Sequence, residues 1–104
     1  MAGFGIGTNT KQPDAGIVKG TLYDIACECW FTSSGKVTPL MLKLRDEDGE
    51  IRTIRQIIIH SSEEKNYAGI PSEEFDCTLI VLGKKIDVKL VFFMNEKKWN
   101  LIYK

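Results

Sequence analysis

The sequence has little of what a catalytic, membrane-bound or strongly charged protein needs. It contains one histidine among 104 residues, and its 14 basic and 14 acidic residues give no net charge. Bulk DNA and anionic membranes both reward a large positive field, which this chain lacks. No apolar run approaches the ~18 residues of a membrane-spanning helix, and no basic start followed by an apolar run marks a signal peptide. We therefore expect a cytoplasmic protein with no membrane partner.

Cysteine is also scarce, and its placement is typical of a core residue. Cys27, Cys29 and Cys77 are an odd number in a chain without a secretion signal, which favours reduced thiols over disulfides. With His60 they would supply three sulfurs and one nitrogen, an acceptable zinc set. However, Cys27 and Cys29 are two residues apart on a predicted strand, so their side chains lie roughly 7 Å apart on an inward face. We therefore predict buried, unreactive cysteines, with no metal and no cofactor.

What the sequence does have is enough apolar residues for one core. Hydrophobic residues make up 43% of the chain and aromatic residues 10%, and a chain of this length builds a single domain. Residues 1–16 hold four of the nine glycines and show no apolar period, so we expect a flexible N-terminal tail there. The folded domain is predicted over residues 17–104.

An alternation of apolar and polar residues runs through most of the predicted domain and indicates β-strands. Asp48-Gly49, between two such stretches, indicates a hairpin. The unbroken run Ile57-Ile58-Ile59 predicts a bulge or burial on both faces. The six stretches are 23–31, 40–45, 51–60, 75–81, 86–94 and 99–103.

One segment departs from this alternation. Ser61 followed by Glu64 matches a capping box, Gly69 suits a helix C-terminus, and Pro71 prevents continuation. These signals predict one or two helical turns over Ser62–Ala68. The predicted fold is therefore all-β with one short helix. We expect a small, partly open β-barrel of five to six mainly antiparallel strands, either OB-like or SH3-like.

A binding surface is predicted on the first three strands. Trp30 is out of step with the inward residues of its stretch, and Lys43, Arg52 and Arg55 lie on the next two stretches. An aromatic side chain beside basic ones is typical of surfaces that hold single-stranded nucleic acid by stacking and phosphate contacts. It is equally typical of protein-binding hot spots. The alternative is that Trp30 packs under the tail or the helix.

Three functions stay open from the sequence. The leading one is a non-enzymatic interaction module that binds a protein partner, or a second copy of itself, through an exposed sheet face or edge. It leads because the chain offers no convincing catalytic set. The second is a barrel that binds single-stranded nucleic acid. The third is a small enzyme that uses His60 as a general base at neutral pH, with Glu64 or Tyr67 beside it.

A set of turn, cap and core residues is spread over residues 17–103: Trp30-Phe31-Thr32, Gly35-Lys36, Pro39, Asp48-Gly49, Glu64, Tyr67-Ala68-Gly69-Ile70, Phe75, Cys77 and Trp99. Together they resemble a group of short bacterial proteins of unknown function. The resemblance implies a bacterial, cytoplasmic setting. It carries over no activity, partner or site residue.

Overall fold

The computed structural model describes residues 20–104, and the tail predicted over residues 1–16 lies outside them. The described chain is built from β-strands, and none of it is helical. Nothing in these residues therefore has the length and hydropathy that a bilayer-crossing helix requires. The strands are β1 (Tyr23–Phe31), β2 (Val37–Arg45), β3 (Ile51–Ile54), β4 (Ile57–Tyr67), β5 (Ile70–Val81), β6 (Lys84–Phe93) and β7 (Lys98–Tyr103).

The strands form one antiparallel sheet in the order β3-β2-β1-β7-β6-β5-β4, which curls into a half-barrel. Two places allow the curl. Strand β1 pairs with β7 through residues 23–25 and with β2 through residues 26–31, with a register shift between Glu28 and Cys29. Strand β3 pairs with β2, and only Arg55 and Gln56 separate it from β4, which pairs with β5. Strands that change partners at bends are how small sheets fold back on themselves.

The prediction of a small, barrel-like all-β fold is confirmed, but the described strands number seven rather than five to six. The difference arises from the predicted third strand, 51–60, which is divided in two at Arg55–Gln56. The bulge expected near Ile57-Ile58-Ile59 is present as a register shift between Ile59 and Ser61.

The short helix predicted over Ser62–Ala68 is wrong. Strand β4 continues to Tyr67, which pairs with Ile70, and Ala68 and Gly69 form a two-residue turn with φ of 51° and 82°. Two consecutive positive φ angles define the tight hairpin turn whose twist matches antiparallel strands. Glycine is favoured at such a turn for the same reason that it is favoured after a helix, so its presence did not distinguish the two structures.

The core lies between the two curled parts of the sheet, on what we call the inner face. Strand alternation brings Cys77 fully into this core, and Cys27 and Cys29 lie half-buried against it, as their spacing predicted. The buried core residues are Val37, Leu42, Ile54, Phe75, Cys77, Leu79, Val88, Leu90, Phe92, Trp99 and Leu101.

Candidate functional site

A surface groove of about 490 Å³ follows β3 to the point where it joins β4. Ile54 belongs to the buried core, so Ile54 and Arg52 point to the inner face, while Ile51 and Thr53 point to the outer face. All four residues line the groove. A groove lined from both faces of one strand runs along the edge of that strand. We call it the edge groove, and its lining is Ile51, Arg52, Thr53, Ile54, Arg55, Gln56, Ile80, Val81 and Leu82.

Strand β3 offers unpaired backbone groups to this groove. Within residues 20–104 it pairs with β2 on one side and with no strand on the other. The N–H of Asp46 donates to the carbonyl of Glu50 at 2.8 Å, so the next hydrogen-bonded pair along the ladder is Leu44 with Arg52. The intervening residues, Ile51 and Thr53, therefore direct their N–H and C=O groups toward the groove.

The far side of the edge groove ends in an exposed leucine. Leu82 and Gly83 form the turn between β5 and β6, with φ of 51° and 78°. Leu82 is 82% exposed, and a non-glycine residue with positive φ is strained. Leu82 was not among the site residues predicted from the sequence. The signal was a large apolar side chain at a two-residue turn, where Asn, Asp or Gly is usual.

An apolar cleft of about 740 Å³ opens between the two parts of the sheet, next to the edge groove. Arg52, Ile54 and Val81 line both. A mostly apolar concavity of this size with a few polar groups at its rim is the usual form of a binding site. The cleft is lined by Tyr23, Asp24, Ile25, Leu44, Arg45, Asp46, Glu47, Arg52, Ile54, Leu79, Val81, Ile86, Leu101 and Tyr103.

Of the three predicted basic side chains around β3, one is held in an ion pair with a described residue and two are not. The Nε of Arg52 donates to Oδ2 of Asp46 at 2.8 Å. Hydrogen bonds from the backbone N–H of Glu50 and from Arg52 hold the pKa of Asp46 below its usual value. Lys43 lies across the ladder from Thr53, and neither Lys43 nor Arg55 forms an ion pair with any residue of the described chain. Two cations beside β3 are therefore available to a ligand.

The four residues predicted as a binding surface are not all brought together. Lys43, Arg52 and Arg55 surround β3, whereas Trp30 pairs with Thr38 near the opposite end of β1. The β1 partner of Lys43 is Ala26, four residues away, which is roughly 13 Å along a strand. Trp30 is 65% exposed, so it is not packed beneath described parts of the chain.

His60 takes part in a hydrogen-bonded chain across three strands. Its Nε2 lies 2.7 Å from Oγ1 of Thr78, and the Thr78 hydroxyl donates to Oδ1 of Asp87 at 2.8 Å. Because the single hydroxyl proton is directed at Asp87, Nε2 of His60 is the donor to Thr78. Neither Glu64 nor Tyr67, the neighbours expected from the sequence, bonds to it. In this arrangement Nε2 has no lone pair free to accept a proton.

Burial makes the thiols of Cys27 and Cys77 poorly reactive. Burial raises the pKa of Cys27 to about 12, with the neighbouring Cys29 adding to it, and burial likewise raises the pKa of Cys77 to about 12. His60 bonds on the outer face, whereas Cys77 belongs to the core. Within residues 20–104 no group of three His, Cys, Asp or Glu residues is arranged to hold a metal ion.

The outer edge of β4 is also unpaired among the described strands, but it carries features that discourage strand addition. A register shift interrupts it between Ile59 and Ser61, and exposed Glu63 and Glu64 follow. Bulges and charges are how proteins protect such edges.

Comparison of the chain with protein-family models, curated proteins and solved structures found no match.

Proposed function

We propose that this protein is an interaction module that binds an extended segment of a partner protein as an added strand on β3. The observation that carries the proposal is the edge of β3 that no strand of residues 20–104 pairs with, where the N–H and C=O groups of Ile51 and Thr53 face the edge groove. Strand addition of this kind gains affinity from main-chain hydrogen bonds and specificity from pockets for alternate side chains.

The surroundings of β3 define the chemistry of the partner segment. An added strand would direct every second side chain inward, toward Ile54 and Val81 at the mouth of the apolar cleft. The other side chains would lie on the outer face near Lys43, and Arg55 lies at the end of the strand. The preferred segment therefore alternates apolar residues with residues that include Asp or Glu.

The partner class is tested by selection from a displayed library of short random peptides on the full chain. The expected result is enrichment of extended peptides with alternating apolar residues and at least one acidic residue. Failure to enrich any such peptide would refute the proposal. Enrichment of helical or uniformly polar peptides would also refute it.

A pair of substitutions at one residue tests the binding mode. Thr53→Pro removes a backbone N–H that faces the groove, while the β2–β3 ladder keeps its bonds because edge strands tolerate proline. We expect Thr53→Pro to weaken peptide binding about tenfold or more, and Thr53→Ala, which keeps the N–H, to bind as the wild type does. Equal binding by both variants would contradict strand addition.

Leu82→Asn tests whether the Leu82 side chain contributes to peptide binding without contributing to the stability of the fold. Asparagine is favoured at positive φ, so the variant should unfold at the same or a slightly higher urea concentration than the wild type. Loss of the exposed apolar side chain should nevertheless weaken peptide binding by about tenfold. A variant that binds as tightly as the wild type would remove Leu82 from the site.

Binding of single-stranded nucleic acid is the second candidate, and the exposed indole of Trp30 favours it. It was predicted together with an OB-like or SH3-like barrel, and it requires Trp30 and the basic residues to act on one strand of nucleic acid. Its signature is quenching of Trp30 fluorescence by short single-stranded DNA at low salt, reversed by added salt. Arg52 is already engaged by Asp46, which makes this candidate the weaker one.

A further inference from the structure

The outer face of the β5–β6–β7 part of the sheet carries a second apolar cluster, away from the edge groove. It consists of Val91 and Phe93 of β6, Ile102 of β7 and, from the end of the adjoining β4, Tyr67. Val91 pairs with Glu74 and Asn100, whereas the core residue Leu90 pairs with Phe75 and Leu101. Because side chains alternate along a strand, Val91 and its partners point away from the core.

This outer cluster is buried although it lies on the outside of the sheet. Val91 is 0% exposed, Phe93 7% and Ile102 8%. Within residues 20–104, strands β6 and β7 contact mainly the strands that pair with them in the sheet. No described strand lies over this face. An apolar sheet face has to be covered by another element to be stable.

A carboxylate oxygen buried at the same place receives no hydrogen bond from the described residues. The Glu74 side chain is 4% exposed, and its Oε1 lies 3.4 Å from Nζ of Lys89 and 3.8 Å from Nζ of Lys65. Its Oε2 is buried and has no hydrogen-bond partner among residues 20–104. Buried polar atoms are nearly always paired, so whatever covers this face is expected to bring an N–H or O–H group to Oε2.

The chain itself enters the described structure at this cluster. Gly20 is the first described residue, and a Cβ atom built on it would lie 2.9 Å from Cγ2 of Ile102. Apolar Ile17 and Val18 come just before it in the sequence. Nineteen residues can extend to roughly 60 Å, whereas four neighbouring strands span only about 19 Å.

We propose that residues 1–19 of this chain cover the outer face of β5–β7. Ile17 and Val18 then pack on Val91 and Ile102, and the segment supplies the donor for Oε2 of Glu74. The proposal is independent of the proposed function, because the edge groove is lined by other residues.

The direct test is a methyl nuclear Overhauser experiment on the full chain with labelled Ile and Val. We expect cross-peaks from the methyl groups of Ile17 and Val18 to those of Val91 and Ile102. A mixed sample of labelled and unlabelled chains distinguishes the source. Cross-peaks only between different chains would show that a second copy covers the face, and absence of cross-peaks would show another cover. Either result would overturn the proposal.

A matched pair of variants gives a second readout. Val18→Ser removes apolar contact from the segment, and Thr10→Ser changes a residue of the same segment that is already polar. Loss of a buried valine contact should accelerate tryptic cleavage after Lys19 by about tenfold in Val18→Ser, with no change in Thr10→Ser. Equal cleavage rates in the wild type and both variants would contradict docking through Val18.

Discussion

Gly20 is the residue whose lack of a side chain matters most to the described fold. It has φ of 93°, and the space for a Cβ is taken by the buried Ile102. Gly35 has φ of 87° and open space around it, so it serves as a matched control for backbone strain alone.

Gly20→Ala should therefore destabilise the protein more than Gly35→Ala does. Both alanines adopt a left-handed conformation at a cost of about 1–2 kcal/mol, and Gly20→Ala adds overpacking against Ile102 of about 1–3 kcal/mol. Urea denaturation of the two variants measures the difference in free energy of unfolding. Equal values would mean that the chain at Gly20 moves freely away from Ile102.

The buried thiols give a second prediction at this scale. Cys27 and Cys77 have pKa values raised by burial from 9.0 to about 12, which lowers the thiolate fraction near pH 8 by about a thousandfold. Both residues should be alkylated by iodoacetamide far more slowly in the native protein than in urea. Native labelling at the unfolded rate would show that these strands open readily.

The raised pKa values of Cys27 and Cys77 also make the stability of the fold depend on pH. The folded pKa values lie above the unfolded one, so the contribution of the neutral thiols is complete below pH 9.0. It is lost as the pH rises toward the folded values.

At the scale of one element, the β2–β3 hairpin depends on Asp46. Its Oδ1 accepts the backbone N–H groups of Asp48 and Glu50, each at 2.9 Å, and its Oδ2 accepts Nε of Arg52. One carboxylate thus closes the turn and fixes the start of β3.

Asp46→Ala should lower the urea midpoint of unfolding more than Asp46→Asn, because the amide oxygen of Asn can still accept the two backbone N–H groups. The contribution of the native carboxylate is present above its unfolded pKa and is lost as the pH falls through its lowered folded value. Equal midpoints for the two variants would show that the turn does not need the acceptor. Amide exchange of β3 gives a second measure.

The strands with an apolar alternation were predictable from the sequence, whereas the part of β4 after His60 was not. Residues 61–66 are polar on both faces of that strand, so no apolar period marked it, and Gly69 fitted a helix end as well as a hairpin turn. The early start of β5 at Ile70 follows from the same turn, because Tyr67 pairs with Ile70. Pairing with β5, not the local sequence, makes this segment a strand.

The candidate site was predictable only in part. The positions of Lys43, Arg52 and Arg55 on neighbouring predicted strands were enough to expect them close together. The sequence could not show that Asp46 forms an ion pair with Arg52. The sequence also does not reveal the register of β1 with β2, which places Trp30 away from Lys43. The unpaired edge of β3 depends on sheet order, which arises from long-range pairing that a single strand does not encode.

At the scale of the whole molecule, the curled sheet separates two surfaces. One is the edge groove, where β3 ends the sheet formed by the described strands and the apolar cleft opens beside it. The other is the outer cluster on β5–β7, where Glu74 and Val91 are buried. We propose that the first binds a partner segment and that residues 1–19 cover the second.

Amide hydrogen exchange at Ile51 and Thr53, with and without a selected peptide bound to the full chain, tests the central claim most directly. Both N–H groups face the edge groove, so they should exchange quickly in the free protein and become protected when a partner strand pairs with β3. Binding that leaves both amides at their free-state exchange rates would contradict strand addition at this edge.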